Sequence, residues 1–209
     1  IRAQDGKWTA FRIMEEPLKA LQQSYLRTKA EDYQAYRESM EFHTNSSNNT
    51  VYADADGAIA YFHSNFVPVR NESIDFSRPV DGSSSDTEWN GLHTIDESVH
   101  ILNPTNGWIQ NTNNWPFSAT GSNSPRKEDF PTYMSQNVEN ARGLHALKVL
   151  DGVTDFTIES LQEAAYDSYL TAFDALIPQL LAAYADLEWD NPLRTDIVDQ
   201  VEMLRSWDQ

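Results

Sequence analysis

Asn103-Pro104-Thr105-Asn106-Gly107-Trp108-Ile109-Gln110-Asn111-Thr112-Asn113-Asn114-Trp115-Pro116 is the stretch on which the reading of this chain turns. Asn-Pro and Asn-Gly are turn dipeptides. The four residues after them read as a buried strand end, and a cluster of side-chain amides comes next. Asn and Gly are commonest in surface loops. Here, however, two tryptophans set neutral hydrogen-bond donors beside apolar walls. That composition suits a site holding a polarised carbonyl or a developing oxyanion.

Outward from this stretch, composition narrows the classes. A chain of 209 residues holds one domain with a sizeable core, or part of a larger one. No apolar run approaches the roughly 20 residues of a membrane span, and nothing at Ile1 resembles a signal peptide. The formal charge of −17, with 15 scattered basic residues, argues against a nucleic-acid partner, which needs clustered Lys and Arg. Zero cysteines exclude disulfides, thiol nucleophiles and Cys-ligated zinc. His43, His63, His93, His100 and His145 are not at metal-ligand spacing.

The pattern along the chain predicts an α+β fold, rich in strand and hairpin over 1–139 and helical over 140–209. Lys7 to Met14 alternates imperfectly and reads as a strand. Pro17 opens a helix through about Arg27. Thr28-Lys29-Ala30-Glu31 is a capping box, predicting that a second helix starts there and buries Tyr33, Tyr36 and Met40. Val51 to Asp54, a turn at Ala55-Asp56-Gly57 and Ala58 to His63 form the clearest hairpin. Residues 64–106 and 117–140 read as irregular. Helices come next at Asn140 to Leu150, at Ile158 to about Leu187 with Thr157 as cap, and at Leu193 to Arg205 behind Asn191-Pro192. Pro178 is expected to kink or divide the long one.

Three segments in this order resemble the penicillin acylase family, or penicillin amidases, of N-terminal-nucleophile hydrolases. Val51-Tyr52-Ala53-Asp54-Ala55-Asp56-Gly57-Ala58-Ile59-Ala60-Tyr61, with Val67-Pro68-Val69-Arg70 after it, is similar to the family's Tyr-Ala-Asp-x-x-Gly-Asn-Ile-Gly-Tyr hairpin and its following Pro-x-Arg. Asn103-Pro104 to Pro116 is similar to its Asn-Pro-x-x-Gly…Asn-Asn-x-Pro segment. Asn140-Ala141-Arg142 opens a helix where members carry a functional arginine. The opening Arg2-Ala3-Gln4-Asp5-Gly6-Lys7 and the closing Leu204-Arg205-Ser206-Trp207-Asp208 fit as well, so the likeness covers essentially the whole chain.

The resemblance implies a four-layer αββα sandwich with long C-terminal helices. It implies a precursor, or zymogen, that cleaves itself to expose a β-chain serine. That serine attacks an amide carbonyl with its own α-amine as base. Substrates are N-acyl amides: β-lactam side chains, as in antibiotic metabolism, acyl-homoserine lactones or lipopeptide acyl groups. Most members are periplasmic or secreted, need no cofactor for the chemistry and usually bind calcium. Asp129 or Asp81 is the loose match for a calcium ligand here. Ile1 cannot be the nucleophile, because only Ser, Thr or Cys pairs an attacking heteroatom with its α-amine. The expectation is therefore an interior piece of the β chain. Its partners would be the α chain and the rest of the β chain, and it would be inactive alone.

By resemblance, Asn113 is the oxyanion-hole donor and Arg142 orients catalytic groups. A cation at a helix start is disfavoured by the macrodipole, so Arg142 calls for a specific partner. Asn111 and Asn114 read as structural neighbours. Trp108 and Trp115, with Phe117, either wall an acyl pocket or belong to the core. Asp54 and Asp56 read as turn residues. The Asn-x-Ser/Thr triplets at Asn45, Asn48 and Asn71 read as chance matches to the glycosylation pattern. The rival class is a secreted carbohydrate- or peptide-binding module built on the same Trp, Tyr and Asn. The helical tail after residue 140 speaks against a small all-β module of that kind.

Overall fold

The computed structural model describes residues 2–4 and 6–207, and Ile1, Asp5, Asp208 and Gln209 lie outside the described residues. The chain is α+β and divides into two compact units, 1–137 and 138–209.

The first unit begins with a two-stranded antiparallel ribbon, β1 (Arg2–Gln4) and β2 (Lys7–Thr9). The strand expected through Met14 stops at Thr9, because its partner is only three residues long. Trp8, Phe11 and Ile13 are exposed. Helix α1 spans Pro17–Arg27 with proline in its first turn, as the sequence predicts. Helix α2 is Tyr33–Met40, and its cap is not Thr28. The Thr28 hydroxyl donates to Tyr25 O at 2.7 Å and closes α1, leaving Asp32 to accept from Ala35 N at 2.8 Å. The buried face of α2 is the expected one, Tyr33, Tyr36 and Met40.

The hairpin is β3 (Asn49–Ala53) and β4 (Ile59–His63), with β5 (His100–Leu102) on the other side of β4. Asp54 Oδ1 accepts from Ala58 N at 2.9 Å and Tyr52 Oη donates to Asp54 Oδ2 at 2.8 Å, so both ends of the turn are tied to one carboxylate. Gly57, at φ +89°, takes a conformation that would strain any other side chain. The register pairs Ala53 with Ile59 and, four steps outward, Asn49 with His63. Strand β5 precedes the Asn-Pro turn, within a segment read as irregular. Trp108 to Asn111 is not a strand, although Gln110 N bonds Ala119 O at 2.8 Å. One face of β4 packs Ala60 and Phe62 on Met40 and Ile95; the other packs Tyr61 on Ile101 and Ala119.

In the second unit α3 (Ala141–Leu150) is capped by Asn140, whose Oδ1 accepts from Gly143 N at 2.9 Å. Helix α4 (Ile158–Ala165) carries a capping box of Thr157 and Ser160. The long helix does divide, but not at Pro178, which lies inside α5 (Ala172–Ala185). The break falls after Ala165, where Asp167 Oδ1 takes the N–H of Tyr169 at 2.9 Å and so competes with the helix ladder. The last helix also divides, at Ile197, into α6 (Leu193–Asp196) and α7 (Val198–Arg205). Val201 is its buried residue, and Phe173 meets Trp207 edge-on at 4.9 Å.

Phe62→Ala removes a fully buried ring from the sheet and should cost about 3–5 kcal/mol of the first unit's stability, measured by urea unfolding. The purified chain, with Ile158, Tyr166, Trp189 and Met203 all exposed, should self-associate. A sharp monomer peak in sedimentation velocity at high concentration would contradict this.

Candidate functional site

The amide cluster folds as a tight turn held by its own side chains. Asn113 is at φ +61°, a left-handed conformation that asparagine tolerates better than most residues. Its backbone N–H donates to Asn111 Oδ1 at 2.8 Å. Asn114 is buried; its Oδ1 accepts from Thr112 N at 3.1 Å and its Nδ2 donates to Ser118 Oγ at 3.0 Å. Asn111 and Asn114 are therefore structural, as the sequence suggests, and Asn113 is the exposed residue at the tip.

The tip opens on a concave surface of about 440 Å³ lined by Arg27, Ser47, Asn48, Asn49, Thr50, Val51, Asn111, Asn113 and Asn137. Five segments meet there: the C-terminus of α1, the loop before β3, β3 itself, the amide turn and the stretch at Asn137. The loop is fixed by Asn65, which is fully buried. Asn65 Oδ1 accepts from Asn45 N at 2.6 Å and Nδ2 donates to Met40 O at 2.5 Å. Gln23 Oε1, buried on α1, accepts from Thr44 N and Thr44 Oγ1 at 3.1 and 2.5 Å. These bonds bind α1, α2 and the loop into one wall.

Behind the turn, Asn49 Nδ2 donates to Asn111 Oδ1 at 3.3 Å, and Asn49 Oδ1 lies 2.8 Å from His63 Nδ1. His63 is 7% exposed, and burial pushes its pKa below the ordinary imidazole range, against a weaker upward pull from the Met134 backbone. Burial also raises that of Tyr61, whose hydroxyl lies 3.4 Å from His63 Nδ1. Asn49, His63, Arg27 and Asn137 escaped the sequence reading as site residues. A signal existed for the first two: with the hairpin register set at its turn, Asn49 and His63 fall opposite each other. Arg27 and Asn137 are brought in by tertiary packing alone.

The cleft lining, among the described residues, offers amides, two hydroxyls and one guanidinium, with no imidazole or carboxylate. Such a surface hydrogen-bonds a polar or anionic group, and its hydroxyls have no adjacent base to make them nucleophiles. Trp108 and Trp115 are half-buried and do not line it; Trp115 meets Phe117 edge-on at 5.8 Å. Arg142 is exposed in the first turn of α3, in the second unit. Asp129 is held in a bidentate pair with Arg126, and Asp81 accepts from both Ser83 N and Ser83 Oγ. Among the described residues no three His, Asp or Glu side chains cluster as metal ligands.

Comparison with known proteins gives two findings. The family model described as penicillin amidase matches residues 3–209. A stretch of 68 residues, 32% of this chain, is 37% identical to penicillin G acylase of Escherichia coli and spans 8% of that protein's length.

Burial of neutral His63 and His100 makes the first unit sensitive to acid. Both have folded pKa values below the unfolded value of about 6.5. Their contribution is whole above that pH and is lost as pH falls toward the folded values, where only the unfolded chain takes up the protons. Urea midpoints should therefore fall below about pH 6.5. His63→Asn should flatten the slope, leaving the part due to His100.

Proposed function

The chain belongs to the penicillin amidase family, and from that footing we propose that it supplies the oxyanion-stabilising part of an enzyme that hydrolyses N-acyl amides. The observation that carries this reading is Asn113. It is exposed at the tip of a self-braced amide turn, in a concave surface whose lining holds no carboxylate among the described residues. Attack on an amide carbonyl drives negative charge onto its oxygen. A preorganised neutral donor stabilises that charge without reorganising or titrating.

In this proposal the attacking group is an N-terminal serine from a separate segment of the same precursor, freed by self-cleavage. Its α-amine acts as base, taking the hydroxyl proton as the oxygen attacks and passing it to the leaving amine. Arg142 orients catalytic groups beside that amine. Trp108 and Trp115 would wall an acyl pocket completed by other segments. The whole protein would be a four-layer sandwich of the N-terminal-nucleophile type, periplasmic or secreted. If calcium is bound, Asp81 or Asp129 would supply at most a single ligand, Asp129 only on leaving its bidentate pair with Arg126, since no ligand cluster forms among the described residues.

The test is Asn113→Ala in full-length, self-processed enzyme. The expected loss is on the order of 10²–10³ in kcat with KM within a few-fold, because the interaction strengthens only in the transition state. Processing is checked by gel before rates are compared, since self-cleavage passes through a similar oxyanion. Unchanged kcat in processed enzyme would overturn the assignment. The 209-residue chain alone should show no turnover of a chromogenic N-acyl amide.

A further inference from the structure

The direction of the hydrogen bonds behind Asn113 is fixed by a single peptide group. The backbone N–H of Asn113 can only donate, so the atom of Asn111 lying 2.8 Å from it is the carbonyl oxygen. Asn49 places a terminal atom 3.3 Å from that same oxygen, and this atom must be its NH2. The other terminal atom of Asn49 is then its oxygen, and it faces His63 Nδ1 at 2.8 Å. Asn49 Oδ1 accepts from His63 Nδ1 when that nitrogen carries the ring proton, for which the Met134 backbone carbonyl is a second acceptor. A chain of hydrogen-bonded contacts thus runs from His63 to Asn49 to Asn111 and meets the Asn113 peptide there.

We propose that Asn49 and His63 are positioning residues for Asn113, holding the 111–113 turn in the left-handed conformation that presents the Asn113 side chain to the cleft. The proposal rests on the reading of Asn113 as an oxyanion donor. Three observations carry it together. Asn49 and His63 are cross-strand partners at the open end of the hairpin, so the register of β3 and β4 sets their spacing. His63 is anchored on the sheet through its own backbone N–H to Val99 O at 3.0 Å. Asn49 and Asn111 also line the cleft, so the relay links the buried sheet to the surface where a substrate would lie.

Asn111 Oδ1 receives two donors, which is the full capacity of a carbonyl oxygen. Removing the Asn49 donor leaves the oxygen free to rotate away from the Asn113 peptide. A φ of +61° is less costly for asparagine than for most residues but still above ordinary backbone, so a turn that loses its brace relaxes toward the latter. The relay thus acts through geometry, without moving a proton.

The test uses full-length processed enzyme with shape-conserving variants. Asn49→Asp keeps the outline of the side chain but cannot donate to Asn111 Oδ1 when ionised. His63→Asn keeps a hydrogen-bonding group where Nδ1 was, whereas His63→Leu removes it. Asn49→Asp and His63→Leu are expected to lower kcat about 10–100-fold with KM within a few-fold, as misplacement of a catalytic group by about 1 Å does. His63→Asn should stay within a few-fold of the parent. Hydrogen exchange over the 111–114 peptide, expected to quicken at least tenfold in Asn49→Asp, reads the brace without reference to catalysis. Unchanged exchange in Asn49→Asp overturns the relay whatever the rates are. Faster exchange with full kcat, in an enzyme where Asn113→Ala is crippled, overturns the positioning role and leaves the oxyanion reading standing. Full kcat in Asn113→Ala itself overturns that reading, and the positioning role with it.

Discussion

Between Ile59 and His63 the chain sends buried side chains to opposite faces in turn, so both faces of the three-stranded sheet must be covered for the strand to exist. Helix α2 covers one with Tyr33, Tyr36 and Met40 around Phe62. The other is covered by a segment with little apolar surface, through Ile109 and Ala119 on Tyr61. That segment can serve as a cover because it satisfies most of its own polar groups. Gln110 Nε2 donates to Ser118 O at 3.0 Å, Asn106 Nδ2 to Thr120 O at 3.1 Å and Asn114 Nδ2 to Ser118 Oγ at 3.0 Å. Each such bond left unmade in a buried position costs about 1–3 kcal/mol. The asparagine richness is thus a packing requirement first, and the exposed tip at Asn113 is what that packing leaves over.

Local chemistry was legible wherever one short stretch decides its own conformation. The Asp54-to-Ala58 turn, the proline start of α1, the Thr157 cap and the helix opening at Asn140 are all of this kind, and each stands where the sequence puts it. Boundaries failed where a side chain had two local uses. Thr28 could open α2 or close α1, and it closes α1 because Asp32 offers the better acceptor at the next start. Asp167 interrupts a run whose proline looked the stronger breaker, since an aspartate that captures a nearby N–H ends a helix as firmly as a missing one. Strand β5 has no alternation of its own and is a strand only because β4 lies beside it.

The candidate site divides along the same line. The proposed role of Asn113 starts from a dense cluster of amides beside Trp and Pro, which is unusual within a single segment. Arg27 and Asn137 come from two further places in the chain, and no local pattern marks either of them. Asn49 and His63 lie between these extremes, since a correctly placed hairpin turn already implies their pairing. What the sequence withholds is that His63 is buried, which turns a histidine with no metal-ligand spacing into a neutral partner for Asn49.

The choice of neutral donors suits a chain with a formal charge of −17. In the proposed reaction a developing oxyanion would meet an unfavourable field, and a protein-wide remedy would need many more cations. Solvent and salt make that unnecessary, because exposed charges beyond about 8 Å are largely screened at physiological ionic strength. Only groups within contact distance decide the local potential, and here those are amide dipoles and the guanidinium of Arg27. An amide donor has no pKa near neutrality, so its strength does not change with pH. Its value rests instead on direction, which a flexible loop would squander. In that proposal the turn residues that hold Asn113 in place are as much a part of the electrostatics as the donor they would aim.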